Sequence, residues 1–261
     1  MRIKRALVTG AAARLGRAMA LALAEDGFDV AVHYHGGSGD AEAVVDEIRA
    51  MGRSAAALQA DLLDQAATEA LLPAAAEALG GPISVLINNA SIFEYDNIAT
   101  ATAESWERHI GSNLRAPFFL TQALAAQAPA SSTDAQGEPL AEAMVLNMID
   151  MRVRKLTPEF STYTIAKAGL WALTQTAAQG LAPRVRVNAI GPGPTLQGGR
   201  QSAEHFAAQR AATILQRGAN PEDITAAMRY FLASPGVTGQ LICVDGGQHL
   251  GWQTPDILGV E

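Results

Sequence analysis

The sequence is poor in cysteine and in charge, and it lacks any long uncharged apolar run. Cys243 is its only cysteine, so no intrachain disulfide can form, and a reducing compartment such as the cytoplasm is favoured. No uncharged apolar segment reaches the length that a bilayer-spanning helix needs. The net charge of −7 argues against a nucleic-acid surface, although a local basic pocket for a phosphate is compatible with it. We therefore expect a cytoplasmic protein without nucleic-acid or membrane partners.

What the chain does contain suffices for one folded domain. Hydrophobic residues make up 49 % of the 261 residues, which provides a sizeable core and excludes a disordered chain. The basic N-terminus followed by apolar residues faintly imitates a signal peptide, but Arg14 and Arg17 interrupt that apolar stretch. No linker divides the sequence, so a single domain over residues 1–261 is predicted.

Short apolar runs alternate with amphipathic helical patterns along the whole chain. Strands are predicted at residues 3–9, 29–34, 54–60, 83–88, 144–148, 186–190 and 241–244. Helices are predicted at residues 15–25, 40–51, 65–79, 104–127, 162–181 and 221–232. The polar, turn-rich residues 129–140 are predicted to form a surface loop. This alternation predicts an α/β fold of the Rossmann type, a doubly wound parallel sheet of about seven strands with helices on both faces.

A glycine-containing turn joins the first strand to the first helix. Gly10 permits a tight turn, and Gly16 permits the helix to pack closely on the sheet. The helix N-terminus, with Arg14 and Leu15, can then bind a pyrophosphate. Glycine would also suit an ordinary strand-to-helix turn, but the first βα unit is where a dinucleotide site is expected.

The second strand ends without the Asp or Glu that usually binds the ribose of NAD. The residues found there are His33, Tyr34, His35 and Ser38. Together with Arg14, the histidines and the serine can donate hydrogen bonds to a 2′-phosphate, so NADP(H) is predicted. Alternatively, these side chains only belong to a solvated loop. Asp61 and Leu62, after the third strand, are candidate adenine contacts, although Asp61 could equally cap a helix.

Three residues in the second half carry the predicted chemistry. Tyr163 and Lys167 are four residues apart and share one helix face, where the ammonium can lower the pKa of the phenol toward neutrality. The phenol could then exchange a proton with a substrate. Asp150, thirteen residues before the tyrosine, is an unusual neighbour; alternatively, it is an exposed loop carboxylate.

With the glycine turn, these residues resemble the short-chain dehydrogenase/reductase family. The resemblance covers residues 3–247 and includes the Asn88-Asn89-Ala90 segment, Asn113 and the Tyr163–Lys167 pair. Most of that family has Ser at the position of Asp150, whereas the pteridine reductases have Asp. The sequence is also similar to that subfamily at Arg14, at residues 33–35 and over residues 88–93. Bacterial dihydromonapterin reductases share much of this pattern.

The resemblance implies a set of site residues. Residues 1–128 would be mainly the cofactor half, residues 143–250 the catalytic and substrate half, and residues 251–261 a tail. The implied catalytic residues are Asn113, Asp150, Tyr163 and Lys167, with no metal. Further implied cofactor contacts are Asn89, Ala90, Ser91, Tyr163, Lys167, Pro192, Gly193 and Thr195. The implied substrate contacts are Arg14, Ser91, Phe93, Asp150 and Tyr163.

The predicted reaction is the NADPH-dependent reduction of a pterin C=N bond, in dihydromonapterin or dihydrobiopterin for example. Phe93 would stack on the flat ring and Tyr163, assisted by Asp150, would protonate nitrogen. Phe93 alone could equally be a core or lid aromatic. Two alternatives remain: a short-chain reductase of another carbonyl or imine, and a non-catalytic NADP(H)-binding sensor.

Three features are left open by the sequence. The cations of residues 151–155 could attract an acidic substrate tail or belong to a solvated loop. The glycine-rich residues 195–200 suit either a lid over the substrate or an ordinary loop. The family resemblance also implies a homotetramer formed through the long helix and the Tyr163 helix, whose tail, residues 249–261, could reach a neighbouring active site.

Overall fold

The computed structural model describes residues 3–199 and 201–254, which form a three-layer α/β arrangement. Its strands are β1 (Arg5–Val8), β2 (Asp29–Tyr34), β3 (Ala55–Gln59), β4 (Val85–Asn88), β5 (Ser132–Thr133), β6 (Pro139–Leu140), β7 (Ala143–Met148), β8 (Val185–Pro192) and β9 (Leu241–Val244). Its α-helices are α1 (Arg14–Glu25), α2 (Ser38–Ala50), α3 (Gln65–Ala78), α4 (Ala103–Ile110), α5 (Ala116–Gln127), α6 (Ser161–Leu181), α7 (Ala203–Ala211) and α8 (Pro221–Ala233).

Seven strands form one sheet in the order β3-β2-β1-β4-β7-β8-β9, and every pair is parallel. The central strands are fully buried, as expected of a sheet covered on both faces. One apolar cluster contains side chains of α1, α2 and α8, and another contains side chains of α3, α5 and α6. The predicted doubly wound fold is therefore confirmed.

The structure departs from the predicted elements in three places. The predicted helix 104–127 is interrupted by a π-helical turn at Gly111–Arg115, between α4 and α5. The predicted loop 129–140 contains a small antiparallel hairpin of β5 and β6. Helix α7, after the predicted lid, was not predicted. Most of the predicted tail, with Arg200 of the lid, lies outside the described residues.

The topology fixes the place of a ligand site. The strand order reverses between β1 and β4, which are neighbours in the sheet. Strands β2 and β3 extend the sheet from β1 in one direction, and β7 to β9 extend it from β4 in the other. In such a sheet the loops diverge beyond the carboxyl ends of β1 and β4 and leave a crevice. No helix among the described residues is long and apolar enough to cross a membrane.

Candidate active site

A cavity of about 1190 Å³ opens at the carboxyl edge of the sheet. Most of the predicted site residues line it. From the first half of the chain these are Gly10, Arg14, Leu15, Gly16, His33, Asp61, Leu62, Asn89, Ala90, Ser91 and Phe93. From the second half they are Asp150, Tyr163, Lys167, Pro192, Gly193 and Thr195.

The glycine turn requires its glycines for steric reasons. Gly10 has φ +63°, a left-handed conformation that side chains rarely adopt. A Cβ on Gly16 would lie 2.1 Å from the carbonyl oxygen of Gly10, so only glycine permits this approach. Ala13, the N-cap of α1, provides no side-chain cap for the first amides of the helix. These amides suit the pyrophosphate of a dinucleotide, so the cradle fits the predicted cofactor.

Hydrogen bonds connect this glycine turn to the residues that follow β4. The Thr9 hydroxyl accepts hydrogen bonds from the amides of Asn89 and Ala90, at 2.9 and 3.0 Å. The Asn89 side chain donates in return to the carbonyls of Thr9 and Gly10, at 2.9 and 3.2 Å. The glycine turn and the end of β4 therefore form one rigid wall.

His33 has a different role from the predicted one. Its ring is buried, with Nδ1 accepting from the Gly10 amide at 3.0 Å and Nε2 facing the Ala60 carbonyl at 3.2 Å. Burial lowers the pKa of His33 to about 4, so the ring is neutral. Because both nitrogens are engaged, His33 braces the glycine turn and has no donor left for a 2′-phosphate.

Two of the predicted cofactor residues, Tyr34 and Ser38, do not line the cavity. The Tyr34 side chain is half-buried and packs against the apolar cluster of α1 and α2. Ser38 is exposed and begins α2. Among the polar residues expected near a 2′-phosphate, His35 and Arg14 do line the cavity.

Three of the four predicted catalytic residues, Asp150, Tyr163 and Lys167, meet at one end of the cavity. The Tyr163 hydroxyl donates a hydrogen bond to Asp150 Oδ2 at 3.0 Å. Asp150 Oδ1 accepts from the Arg152 amide at 2.8 Å, which fixes the carboxylate. Lys167 Nζ donates to the Met148 carbonyl at 2.8 Å and lies 5.6 Å from the centre of the Tyr163 ring. Asp150 is thus a partner of the tyrosine and not an exposed loop carboxylate.

The titration of these groups differs from the sequence-based expectation. Burial, with the neighbouring charge of Asp150, raises the pKa of Tyr163 well above its ordinary value. Burial also raises the pKa of Asp150 and lowers that of Lys167 to about 8. The net shift of the phenol pKa is opposite to the predicted lowering by Lys167, because burial and Asp150 dominate it. At neutral pH the phenol is therefore protonated and available as a donor.

Asn113 lies in the π-helical turn, buried behind the wall. Its Oδ1 accepts from the Ile92 amide at 2.9 Å, and its Nδ2 donates to the Ile92 carbonyl at 2.8 Å. Such turns often occur at functional sites, because the extra residue turns a side chain out of helical register. Here Asn113 fixes the loop between Ser91 and Phe93, while its part in a proton relay stays a prediction.

An aromatic group that the sequence did not indicate surrounds Phe93. Phe160 stacks on Phe93 with ring centres 4.4 Å apart, and Tyr163 meets Phe93 edge-on at 4.7 Å. Phe93 is 44 % exposed, so it is not a core residue. Phe160 has φ +58°, an unusual backbone conformation for a bulky side chain, and no sequence signal marks it.

The predicted lid is held by the glycine turn. Arg14 donates from Nη1 to the Gln197 carbonyl at 2.8 Å and from Nη2 to the Leu196 carbonyl at 3.0 Å. Residues 194–196, 198, 199 and 201 also line the cavity. Arg14 thus connects the cofactor cradle to the segment predicted as either a lid or an ordinary loop.

A buried polar network, also absent from the sequence analysis, supports the start of α6. The Thr162 hydroxyl donates to Asp96 Oδ2 at 2.5 Å, and His109 Nδ1 lies 2.6 Å from the same hydroxyl. His109 Nε2 accepts from the Glu94 amide at 3.1 Å. The network joins the Phe93 loop to the residue that precedes Tyr163. Residues 3–199 and 201–254 contain no cluster of three or more side chains suited to a metal.

Comparison with known proteins places this geometry in a family. The family model described as enoyl-(acyl carrier protein) reductase matches residues 10–249. A short-chain dehydrogenase/reductase of Hericium erinaceus, eriH, is 34 % identical, with 93 % of this chain and 96 % of that protein covered. The 3-oxoacyl-[acyl-carrier-protein] reductase FabG of Staphylococcus aureus is 32 % identical, with 95 % and 98 % covered.

Solved structures agree with the fold and the cofactor. The FolM alternative dihydrofolate reductase 1 of Brucella suis, in complex with NADP, superposes with a TM-score of 0.89 at 41 % identity, covering 97 % of this chain and 98 % of that one. The NADP(H) expected from the sequence is the cofactor class found in this and other similar structures. The chain therefore belongs to the short-chain dehydrogenase/reductase family.

Proposed function

We propose that this protein is an NADPH-dependent pteridine reductase. The observation that carries the proposal is the hydrogen bond between Tyr163 and Asp150, at 3.0 Å, beside the exposed ring of Phe93. A carbonyl reductase needs one proton donor, whereas a pterin presents several ring nitrogens that a carboxyl and a phenol can bind together. The similarity to a protein named as an alternative dihydrofolate reductase supports the same substrate class.

The residues divide the chemistry between them. NADPH, when bound, supplies the hydride to the carbon of the C=N bond. Tyr163 supplies the proton to nitrogen, since its raised pKa keeps it protonated at neutral pH. Asp150 orients the phenol and accepts a hydrogen bond from the amino edge of the ring. Phe93, which is 44 % exposed in the cavity wall, is the ring on which the pterin would stack, and Ser91, exposed on the same loop, offers a hydroxyl.

A second candidate function is the reduction of a ketone or another carbonyl. It is favoured by the similarity to FabG, a 3-oxoacyl-[acyl-carrier-protein] reductase. Tyr163 and Lys167 would serve unchanged, and Asp150 would have no part specific to the substrate. This candidate predicts that a small polar residue such as Ser can replace Asp150 without loss.

The two candidates are separated by measuring NADPH oxidation with dihydropterins and with a panel of ketones. We expect turnover of a dihydropterin that Tyr163→Phe reduces by at least about 100-fold, the usual contribution of a positioned proton donor. Asp150→Ser should lower pterin turnover selectively, and Asp150→Asn shows whether charge or shape is required. Turnover of ketones alone would favour the second candidate, and tight NADPH binding without any turnover would favour a sensor.

A further inference from the structure

We propose that Arg152 forms an anion subsite at the substrate end of the cavity, which binds a carboxylate on the substituent of the pterin. The inference rests on the proposed function and narrows its substrate class. It concerns dihydropterins with an acidic tail, of which dihydrofolate is the available example, in contrast to pterins with short neutral side chains.

Of the three cations in residues 151–155, only Arg152 belongs to the cavity wall. Its guanidinium carbon lies 5.0 Å from the centre of the Phe160 ring. Arg154 instead lies over Trp171 of α6, at 5.7 Å, and Lys155 Nζ approaches the Gln248 carbonyl at 3.4 Å. The structure thus separates one cation at the site from two cations directed elsewhere.

The donors of Arg152 are incompletely used. Within the described residues, Nη1 donates to the Thr157 hydroxyl at 2.5 Å and Nε is buried without a partner. The ion pairs among those residues involve other cations, although the charge of Arg152 lies close enough to Asp150 to favour its ionised form. The other two arginines of the wall are engaged more fully. Arg108 forms a bidentate pair with Glu94, and Arg14 directs both Nη atoms to lid carbonyls. Arg152 is therefore the wall arginine whose charge and donors suit an incoming anion.

The order of the stack indicates which part of a substrate would reach this charge. Phe93 is 44 % exposed in the cavity wall, Phe160 stacks on it, and Arg152 lies against Phe160 in turn. The cation is thus separated from the ring-binding surface by an aromatic side chain, so a substituent on the ring and not the ring itself would meet it. Because Nη1 is bonded to Thr157 and Nε is buried, Nη2 and the positive charge are what Arg152 offers to an incoming carboxylate.

The test compares two ligands on the NADP⁺-loaded protein, which has no hydride to donate to them. Dissociation constants of dihydrofolate and dihydrobiopterin are measured by calorimetry for the wild type, Arg152→Gln, Arg152→Lys and Arg154→Gln. In Arg152→Gln we expect the ratio of the two constants to shift about tenfold against dihydrofolate, as for loss of a charge-assisted contact. Arg152→Lys should give an intermediate shift because it keeps the charge and loses the Nη2 donor.

Arg154→Gln removes the same charge two residues away and should leave the ratio at the wild-type value. An unchanged ratio in Arg152→Gln, or an equal change in Arg154→Gln, overturns the subsite. A weaker NADP⁺ affinity in Arg152→Gln with an unchanged ratio assigns Arg152 to the cofactor and also overturns it. Turnover of dihydrobiopterin by the wild type tests the proposed function separately, so an active protein with an unchanged ratio refutes only the subsite.

Discussion

At the scale of single residues, His33 makes stability depend on pH. Its pKa falls from an ordinary 6.5 to about 4 because the ring is buried between Gly10 and Ala60. Between these values the unfolded chain binds a proton that the folded chain does not, so stability is lost as the pH falls from 6.5 toward 4. The shift corresponds to about 3 kcal/mol. We expect urea unfolding to show this loss in the wild type and a shallower loss in His33→Gln.

The comparison isolates His33 because every other titrating group is common to both proteins. His109 also has a pKa lowered by burial, and its contribution cancels in the difference. Parallel stability curves for the wild type and His33→Gln would show that the ring is not a buried neutral brace.

Gly16 and Gly180 should respond to alanine with opposite signs. A Cβ at Gly16 would overlap the Gly10 carbonyl at 2.1 Å, so we expect Gly16→Ala to lose about 1–3 kcal/mol through overpacking. Gly180, in the last turn of α6, has no atom within 4 Å of an added Cβ. Gly180→Ala should therefore gain about 0.5–1 kcal/mol of helix stability. Thermal unfolding measures both, and destabilisation by both would contradict the steric explanation.

The sequence predicts correctly those residues whose roles depend on their near neighbours in the chain. Gly10 and Gly16 are needed by the backbone of their own turn, and Tyr163 and Lys167 share one helix face. The role of His33 depends on Ala60, which directly follows β3, so the position of His33 in the sequence suggested a phosphate contact that burial excludes. Phe160 was missed because an aromatic residue in a left-handed conformation has no sequence signal.

At the scale of elements, the start of α6 depends on the network of Asp96, Thr162 and His109. Thr162→Val keeps the side-chain shape but leaves His109 Nδ1 unpaired, while Asp96 loses one of its hydrogen bonds and keeps those from Ser105 and the amide of residue 162. A buried polar group left unpaired costs about 1–3 kcal/mol. We expect Thr162→Val to lower kcat because Tyr163 follows directly, and Thr162→Ser to restore both stability and kcat.

A merely structural role would change stability without changing kcat in the fraction that remains folded. Measuring kcat and KM at a temperature well below unfolding distinguishes the two cases. If Thr162→Val retains the wild-type kcat there, the network supports the helix and does not position the tyrosine.

The sequence predicts the boundaries of helices and strands where the hydrophobic period is clear. The prediction is wrong where tertiary contacts determine the local backbone conformation. The period of residues 104–127 reads as one helix, but the Asn113 side chain bonds Ile92 across the cavity wall and accompanies a π-helical turn. Helix α7 has no buried residue among those described, so no apolar stripe could reveal it. The hairpin in residues 129–140 has strands of two residues, too short for a period to appear.

At the scale of the whole molecule, the parallel sheet gathers distant residues at one edge. Val8, Asn88 and Met148 end neighbouring strands, and the residues that follow them form the glycine turn, the Phe93 loop and the Asp150 corner. The alternation of strands and helices in the sequence predicts this convergence. The alternation does not predict what packs against the outer surfaces of the helices, because the exposed apolar side chains there have no partner within the same chain that a sequence pattern could reveal.

The exposed apolar side chains on these helices support the predicted homotetramer. Trp106, Phe118 and Ile165 are each more than 40 % exposed and lie on α4, α5 and α6, and both α4 and α5 pack against α6. Apolar side chains on adjoining helices favour burial against another copy. We expect light scattering to give four times the 27.3 kDa of one chain, and Phe118→Glu to give a smaller particle. Met51→Glu places the same charge on an equally exposed apolar residue beyond α2 and should keep the tetramer, so dissociation by both variants, or a monomeric wild type, would refute this interface.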